Sequence, residues 1–504
     1  MKKEKENMRK KTVKKVMSLL VAASMLLTMA GCGSNETPKA SSEEKSSEVV
    51  ESSSVAEASS EVKEEVPAED ITLRLFAADP AGTDLAKVNE AIDAYVREKL
   101  GFGLEIVQYG SGEYAKKMPL ALIGSEQVDM FYTSGDDYVN YARAGALYDM
   151  TDALADYPAL EEAVYDDLLE GAKIDGRLYA MPTQKEIGNS WGYVISKEFA
   201  EEIGFDYENA KTLADMEEYI AAAYKDGRYG IMGLGLEAYM MWYDHSHALT
   251  GMFMMPAEEG NDEIYYWWMS EEAEEFVVMM KEWVESGAMP ADAMTNTSYG
   301  WDQDTWGARL ICWSPQTLAD WQYYVPMSEA WILNGRGSMT AIAAKSQYPE
   351  QCMQFLEMWY TDAEFAKLFF NGIEGEHYNM VDGKVQKTDT AIKQYFFQTW
   401  RGGNMLITPL MAGDADNKWE LYEEFNAQCK LAKTATFVAD TTPVAAEIAA
   451  VNAALDEYKK VLNFGASEDP LATLEEFRTA LKDAGVEKVV AELQAQWDAY
   501  KAAQ

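Results

Sequence analysis

Between residues 71 and 134 the chain changes hydrophobic period four times, and that alternation restricts it to an open α/β sheet. ITLRLFA (71–77) alternates apolar and polar residues as a strand does, and DLAKVNEAIDAYVREK (84–99) has the period of an amphipathic helix. LEIVQY (104–109) returns to strand, EYAKKMPLALIGSE (113–126) to helix, and VDMFYTS (128–134) to strand. A β-α-β-α-β run with apolar strands builds a sheet flanked by helices. Ligands of such sheets sit beyond the carboxyl ends of the strands, which points to Ala78-Asp79-Pro80 and Tyr132-Thr133-Ser134.

The pattern changes after residue 187. WGYVISKEF (191–199) reads as strand and LADMEEYIAAAYKDG (213–227) as helix, and a stretch rich in Tyr, Trp and Met follows. GSMTAIAA (337–344) is strand-like again, and PEQCMQFLEMWYTDAEFAKLFF (349–370) predicts one long helix. Residues 443–504 are almost wholly helical, with a break between Gly465 and Pro470.

The start of the chain sets its address. Eight Lys or Arg precede Val16, and VMSLLVAASMLLTMAGC (16–32) is apolar, short, and ends in small residues. That is the make-up of a secretory signal peptide. Met29-Ala30-Gly31-Cys32 resembles a lipobox, with Met29 where Leu is usual. The resemblance implies cleavage before Cys32 and lipid attachment to it, hence a place on the outer face of a cell membrane in a Gram-positive-like envelope. Residues 32–70, rich in Ser, Glu, Lys, Val and Ala, cannot bury enough surface to offset the entropy of ordering. They predict a disordered acidic tether that reaches several tens of Å, at roughly 5–6 Å times the square root of its length.

Charge excludes some partners. Cleavage after residue 31 removes eight basic and two acidic residues, leaving 35 Lys+Arg against 83 Asp+Glu, a net charge of −48. So acidic a chain is no partner for nucleic acid phosphates. Beyond Cys32, only Cys312, Cys352 and Cys429 remain, with no metal-ligand spacing. They predict buried free thiols, with a Cys312–Cys352 bridge as the alternative.

Nine of the fourteen Trp lie between Trp242 and Trp331, where an even spread would give roughly two or three. Trp267, Trp268 and Trp283 fall in an apolar helical pattern and predict core. Trp191, Trp242, Trp301, Trp306, Trp313 and Trp321 lie at segment ends, where an aromatic face is equally suited to core or to stacking on a sugar ring. Asp244-His245-Ser246-His247 has two His and an Asp but no third His nearby, so we expect no metal there. Gly372 and Gly375 mark a tight loop that carries Glu374 and His377 toward a cleft, or serves as a plain turn. There is no GxSxG, no phosphate-binding loop with its Lys, and no GxGxxG after a strand, so no enzyme and no cofactor are expected.

Several segments together resemble the family-1 extracellular solute-binding proteins of bacterial ABC importers. They are IDGRLYAMPTQKE (174–186), WGYVISKEFAEEIGFD (191–206) and TWGARLICWSP (305–315). FNGIEGEHYNMVDGKV (370–385) and LEEFRTALKDAGVEKVVAELQAQWDAY (474–500) resemble a lipoprotein subgroup with its own C-terminal domain. The resemblance implies a two-lobed periplasmic-binding-protein-like (type II) fold with a crossover hinge and a helical C-terminal region. We expect lobe 1 over 71–187 plus about 330–375, and lobe 2 over 188–329 plus about 376–504. It also implies a monomer that takes a carbohydrate, most often an oligosaccharide, in the cleft and delivers it to a membrane permease. A surface glycan-binding protein without transport, or a receptor for a peptide or cationic small molecule, is the alternative. The expected ligand contacts are Asp79, Asp136, Glu186, Trp191, Trp242, Trp313, Glu374 and His377. Among these, Asp136 and Glu186 stand where the similar maltose-type receptors use an Asp and a Glu, and Trp313 is the foremost stacking candidate.

Overall fold

In a computed structural model, the described residues are 66–211, 213–232, 246–290, 292–295, 305–313, 318 and 321–503. Cys32, the tether as far as residue 65, Trp242, Asp244, His245 and Trp301 lie outside them, while the end of the expected tether forms a short 3-10 turn, Ala68–Asp70.

The first strand, β1 (Thr72–Ala77), leads into α1 (Leu85–Leu100), then β2 (Gly103–Gln108), α2 (Ser111–Ile123), β3 (Met130–Thr133) and α3 (Gly135–Arg143). β1 pairs in parallel with both β2 and β3. The helix α1 turns Val88, Ile92 and Val96 inward, one residue per turn, onto the sheet. β2 is an edge strand, and α1 covers its open side. Asn89 both accepts from Ile106 N (2.9 Å) and donates to Ile106 O (2.9 Å), and Asp93 accepts from Leu104 N at 3.1 Å. Side chains of the helix thus occupy backbone groups that would otherwise invite another strand.

After β4 (Ala180–Pro182) the chain leaves this layer. The second layer opens with β5 (Ser190–Ser196), α4 (Lys197–Ile203), α5 (Leu213–Lys225) and β6 (Tyr229–Met232). A small antiparallel sheet of β7 (Ser246–Thr250), β8 (Phe253–Pro256) and β9 (Tyr265–Tyr266) precedes α6 (Glu271–Ser286). Then come β10 (Trp306–Trp313) and β11 (Gln322–Pro326), which complete the second sheet in the order β11-β5-β10-β6. The chain crosses back through β12 (Trp331–Ile332), and β13 (Met339–Ile342) enters the first sheet between β3 and β4, antiparallel to both. Its four residues are all buried, as suits a central strand covered on both faces.

The single helix expected over 349–370 is two, α7 (Pro349–Thr361) and α8 (Ala363–Asn371). Asp362 divides them: its carboxylate accepts from the amides of Glu364 and Phe365, both at 3.0 Å, so it caps the second helix instead of continuing the first. A hairpin of β14 (Tyr378–Val381) and β15 (Lys384–Lys387) follows, and β16 (Lys430–Leu431) pairs in parallel with β12. The tail forms α9 (Ala445–Asn463), α10 (Pro470–Asp483) and α11 (Val486–Ala503), with a second break at Ala484-Gly485 that the sequence reading missed.

Two hydrophobic cores divide the chain. The first gathers Ile71 to Ile187, Ile332 to Phe370, and Tyr395 and Phe397; the second gathers Tyr193 to Met327 and Phe437 to Trp497. The boundary expected at about 376 therefore falls near 432–437. Tyr395 and Phe397 are the reason, because they pack among Trp359, Phe369 and Phe370 of the first core. Trp267, Trp268 and Trp283 are core, as expected, and Trp306 joins them. Cys352 is a buried free thiol in the first core, whereas Cys312 lies on β10 of the second layer.

The tail is bound to the second core by Arg478. Its guanidinium donates to the carbonyls of Trp268 (3.0 Å) and Ser270 (2.6 Å), and to Glu274 and Glu475 at 2.6 and 2.7 Å.

Candidate functional site

The carboxyl edge of the first sheet is closed by a segment from far along the chain. Gln398, Trp400, Arg401 and the Gly402-Gly403 pair lie across the ends of the strands. Gln108, at the end of β2, donates to Phe396 O at 2.8 Å. Gln398 donates to Asp79 Oδ1 at 3.2 Å, just beyond β1. Ser338 donates to Trp400 O at 2.7 Å, and Gln184 N to Gly403 O at 3.0 Å, beyond β4. The segment lies flat because it carries two glycines. A Cβ on Gly402 would stand 2.4 Å from the indole of Trp359, and Gly403 holds φ at +66° against the same ring.

Asp79 is fully buried and Arg401 is its counter-ion, with Nη1 to Oδ1 at 3.1 Å. Arg401 also donates to Ala78 O, and to Ser111 Oγ at 3.2 Å. The guanidinium carbon lies 4.8 Å from the ring centroid of Trp400 and 5.6 Å from that of Tyr132, within cation–π range of both. Burial pushes the Asp79 carboxyl above the usual carboxylate range, while Arg401 and Gln398 pull it back.

Beside this edge is a cavity of about 380 Å³, lined by Thr183, Lys185, Glu186, Asn189, Asn334, Ser338 and Trp400 among others. Its walls are two of the segments that run between the cores. Lys185 and Glu186 form an ion pair at 2.7 Å, and Asn426 fixes their backbone by accepting from Ile187 N and donating to Lys185 O. Trp400 is 38% exposed. Several buried polar atoms at the strand ends have no protein partner: Asp79 Oδ2, Gln108 Oε1, Thr133 Oγ1 and Gln184 Oε1. None of these four residues lines the cavity itself; they lie behind it, along the strand ends. The arrangement offers an aromatic face, hydrogen-bond acceptors and a Lys–Glu pair around one concavity, which suits a small polar ligand with apolar ring faces.

The expected contacts fare unequally. Glu186 lines the cavity, and Asp79 lies at the sheet edge behind Arg401. Asp136 is exposed in the first turn of α3. Trp191 is half-buried against the second core, and register places Ser190 beside the backbone of Trp313, one residue after the cavity wall. Trp242 is outside the described residues. Glu374 is exposed in its loop; His377 is fully buried, where Nδ1 accepts from Ile373 N at 2.9 Å and Nε2 faces Asp84 at 3.5 Å. Neither lines the cavity. His247 is buried edge-on to Trp331, and burial pushes it down to about 4, so it is neutral at pH 7. Among the described residues no three His, Cys, Asp or Glu side chains gather to hold a metal. Trp400 and Arg401 were missed by the sequence reading. The available signal was Trp-Arg-Gly-Gly, a cation and an aromatic on a flexible turn in a very acidic chain.

This fold and its edge site define a binding protein with two lobes. Residues 90–373, more than half of the chain, match the family described as bacterial extracellular solute-binding protein, and the chain belongs to that family. Residues 433–502 match a domain of unknown function, DUF3502, which here forms the helical tail packed into the second core. A carbohydrate ABC transporter substrate-binding protein of Streptococcus pneumoniae serotype 4 (strain ATCC BAA-334 / TIGR4) is 23% identical over 440 residues, 82% of this chain and 87% of that protein. The crystal structure of the N-glycan transport solute-binding protein NgtS from Streptococcus pneumoniae matches with a TM-score of 0.74 at 20% identity, over 85% of this chain and 99% of that one. A solute-binding protein of Bifidobacterium longum infantis described as binding HMO matches at 0.58 and 13% identity, over 85% and 99%.

Removing Arg401 leaves the Asp79 charge buried without its partner, which costs about 3–5 kcal/mol for such pairs. Arg401→Ala should therefore unfold at a lower urea concentration than wild type at pH 7. Because the Asp79 pKa is raised on folding, its charged form opposes folding at neutral pH, and that penalty is relieved as pH falls through the folded value. The deficit should shrink on acidification toward pH 4; a deficit that is absent at pH 7, or constant with pH, contradicts the ion pair.

Proposed function

We propose that this chain is the substrate-binding component of an ABC importer, tethered to the membrane by lipid at Cys32, and that its cargo is a neutral oligosaccharide. The observation that carries the reading is Trp400. It presents an exposed indole at the mouth of a polar-walled cavity, at the carboxyl edge where sheets of this kind bind ligands. An indole packs against the apolar face of a pyranose, and Glu186, Lys185 and Asn189 supply bonds to its hydroxyls. Asp136, Trp191 and Trp313 are further contacts from the flanking segments, and Asp79 acts from behind, through Arg401. Glu374 and His377 hold their own loop. Structures of NgtS carry Man1GlcNAc and Man5GlcNAc, and these make the first ligands to try. Closure of the lobes turns binding into a shape for the permease to recognise, provided the ligand binds the closed state better than the open one.

Calorimetry across host, plant and microbial glycans tests this, with peptides and polyamines as the competing ligand classes. At least one neutral glycan should bind. Trp400→Ala should weaken it at least about tenfold, since a stacked aromatic contributes about 0.5–1.5 kcal/mol beyond its buried area and 1.4 kcal/mol is a decade. If all glycans are silent and a peptide or polyamine binds, the carbohydrate reading is wrong. The anchor is tested by labelling cells with a radioactive fatty acid: Cys32→Ser should take up none, and equal labelling would exclude lipid at Cys32.

A further inference from the structure

We propose that Asp79 and Arg401 are positioning residues whose task is to hold the Trp400 ring as a preformed platform. The inference rests on the reading of Trp400 as the ligand-stacking side chain and adds what orients it.

An exposed Trp on a loop carrying two successive glycines has no intrinsic reason to keep one rotamer. Here it is fixed from both ends. Its carbonyl accepts from Ser338 Oγ at 2.7 Å, which pins the backbone to β13. Its ring is covered on one side by the Arg401 guanidinium at 4.8 Å. Arg401 itself has little freedom, because its side chain is only 10% exposed and its Nη atoms are engaged by Ala78 O, Asp79 Oδ1 and Ser111 Oγ. Asp79 is in turn too deeply buried to touch a ligand in the cavity. A fully buried carboxylate with one oxygen unpartnered is an expensive arrangement for stability alone. It is explained if the pair serves to aim a planar cation. Only a guanidinium does both jobs, since it is flat enough to lie on an indole while its nitrogens point at three acceptors. A lysine would keep the charge next to Asp79 and lose the stacking surface.

The consequence is preorganisation: the ring is already immobile when the sugar arrives, so the ligand does not bear the entropy of ordering it. The test labels the protein with 5-fluorotryptophan and reads the Trp400 fluorine resonance, assigned as the signal missing in Trp400→Phe. Arg401→Lys is the main variant because it retains the counter-charge; Asp79→Asn is the second, in case the first folds poorly. In the free wild-type protein the Trp400 resonance should be single and sharp. In either variant it should broaden or shift, and oligosaccharide affinity should fall about three- to tenfold, the range expected for one side chain left to be immobilised on binding. A sharp, unmoved resonance overturns the proposal, and so does a mobile ring with undiminished affinity. If the wild-type protein binds no oligosaccharide, the reading of the site fails separately. The resonance of the free protein still decides whether Asp79 and Arg401 hold the ring.

Discussion

Three short segments hydrogen-bonded side by side hold the molecule together as one binding device. Asn189 and Trp331 exchange backbone bonds at 2.8 and 2.9 Å, and Lys430 N donates to Ala330 O at 2.9 Å, so the three crossings form a narrow ribbon between the two cores. The ribbon is closely packed: a Cβ on Gly188 would stand 2.4 Å from Cys429 Sγ. Arg336 and Arg143 grip the third crossing by its carbonyls, at Ala435, Phe437, Val438 and Ala439. Each core is large enough to be rigid on its own, and interiors packed at this density do not deform gradually. Bending is therefore concentrated in the ribbon, which is how hinge closure operates generally. Residues 186–189 on the first crossing, and Asn334, Gly335, Gly337 and Ser338 just beyond the second, line the cavity wall, so the proposed ligand site adjoins the ribbon.

The electrostatics of the site run against those of the chain. The surface is strongly acidic, yet the cavity has a Lys–Glu pair on its wall and an Arg–Asp pair behind its aromatic platform. Each charge there has an opposite partner, so the site presents hydrogen-bonding groups with little net field. That suits a neutral polyol. The surface charge is more simply a matter of solubility than of cargo.

The first sheet was legible in the sequence because buried strands and the helices between them have opposite periodicities, and β1, β2 and β3 fall where the alternation put them. Asp79 stood out because it directly follows a readable strand, and Glu186 because the resemblance puts a Glu at that position; the first lies at the sheet edge and the second on the cavity wall. Trp400 was not legible, because nothing local to residues 396–404 has a period. What brings the segment to the site is long-range bonding to Gln108, Asp79, Ser338 and Gln184, which one sequence does not display. The split at Asp362 was readable in principle: an Asp followed by Ala-Glu-Phe is a capping signal, outweighed in the reading by continuous apolar period on both sides. The lobe boundary expected at about 376 lies inside the first core, because Tyr395 and Phe397, which no local period announces, return the chain to it.

The central claim is that two rigid cores close about the ribbon when a sugar occupies the edge cavity. Small-angle scattering of the protein with and without a saturating oligosaccharide, its occupancy checked independently, tests it most directly. The account predicts a smaller radius of gyration and a shorter maximum dimension with ligand bound. A profile that does not change at full occupancy would contradict a closing receptor.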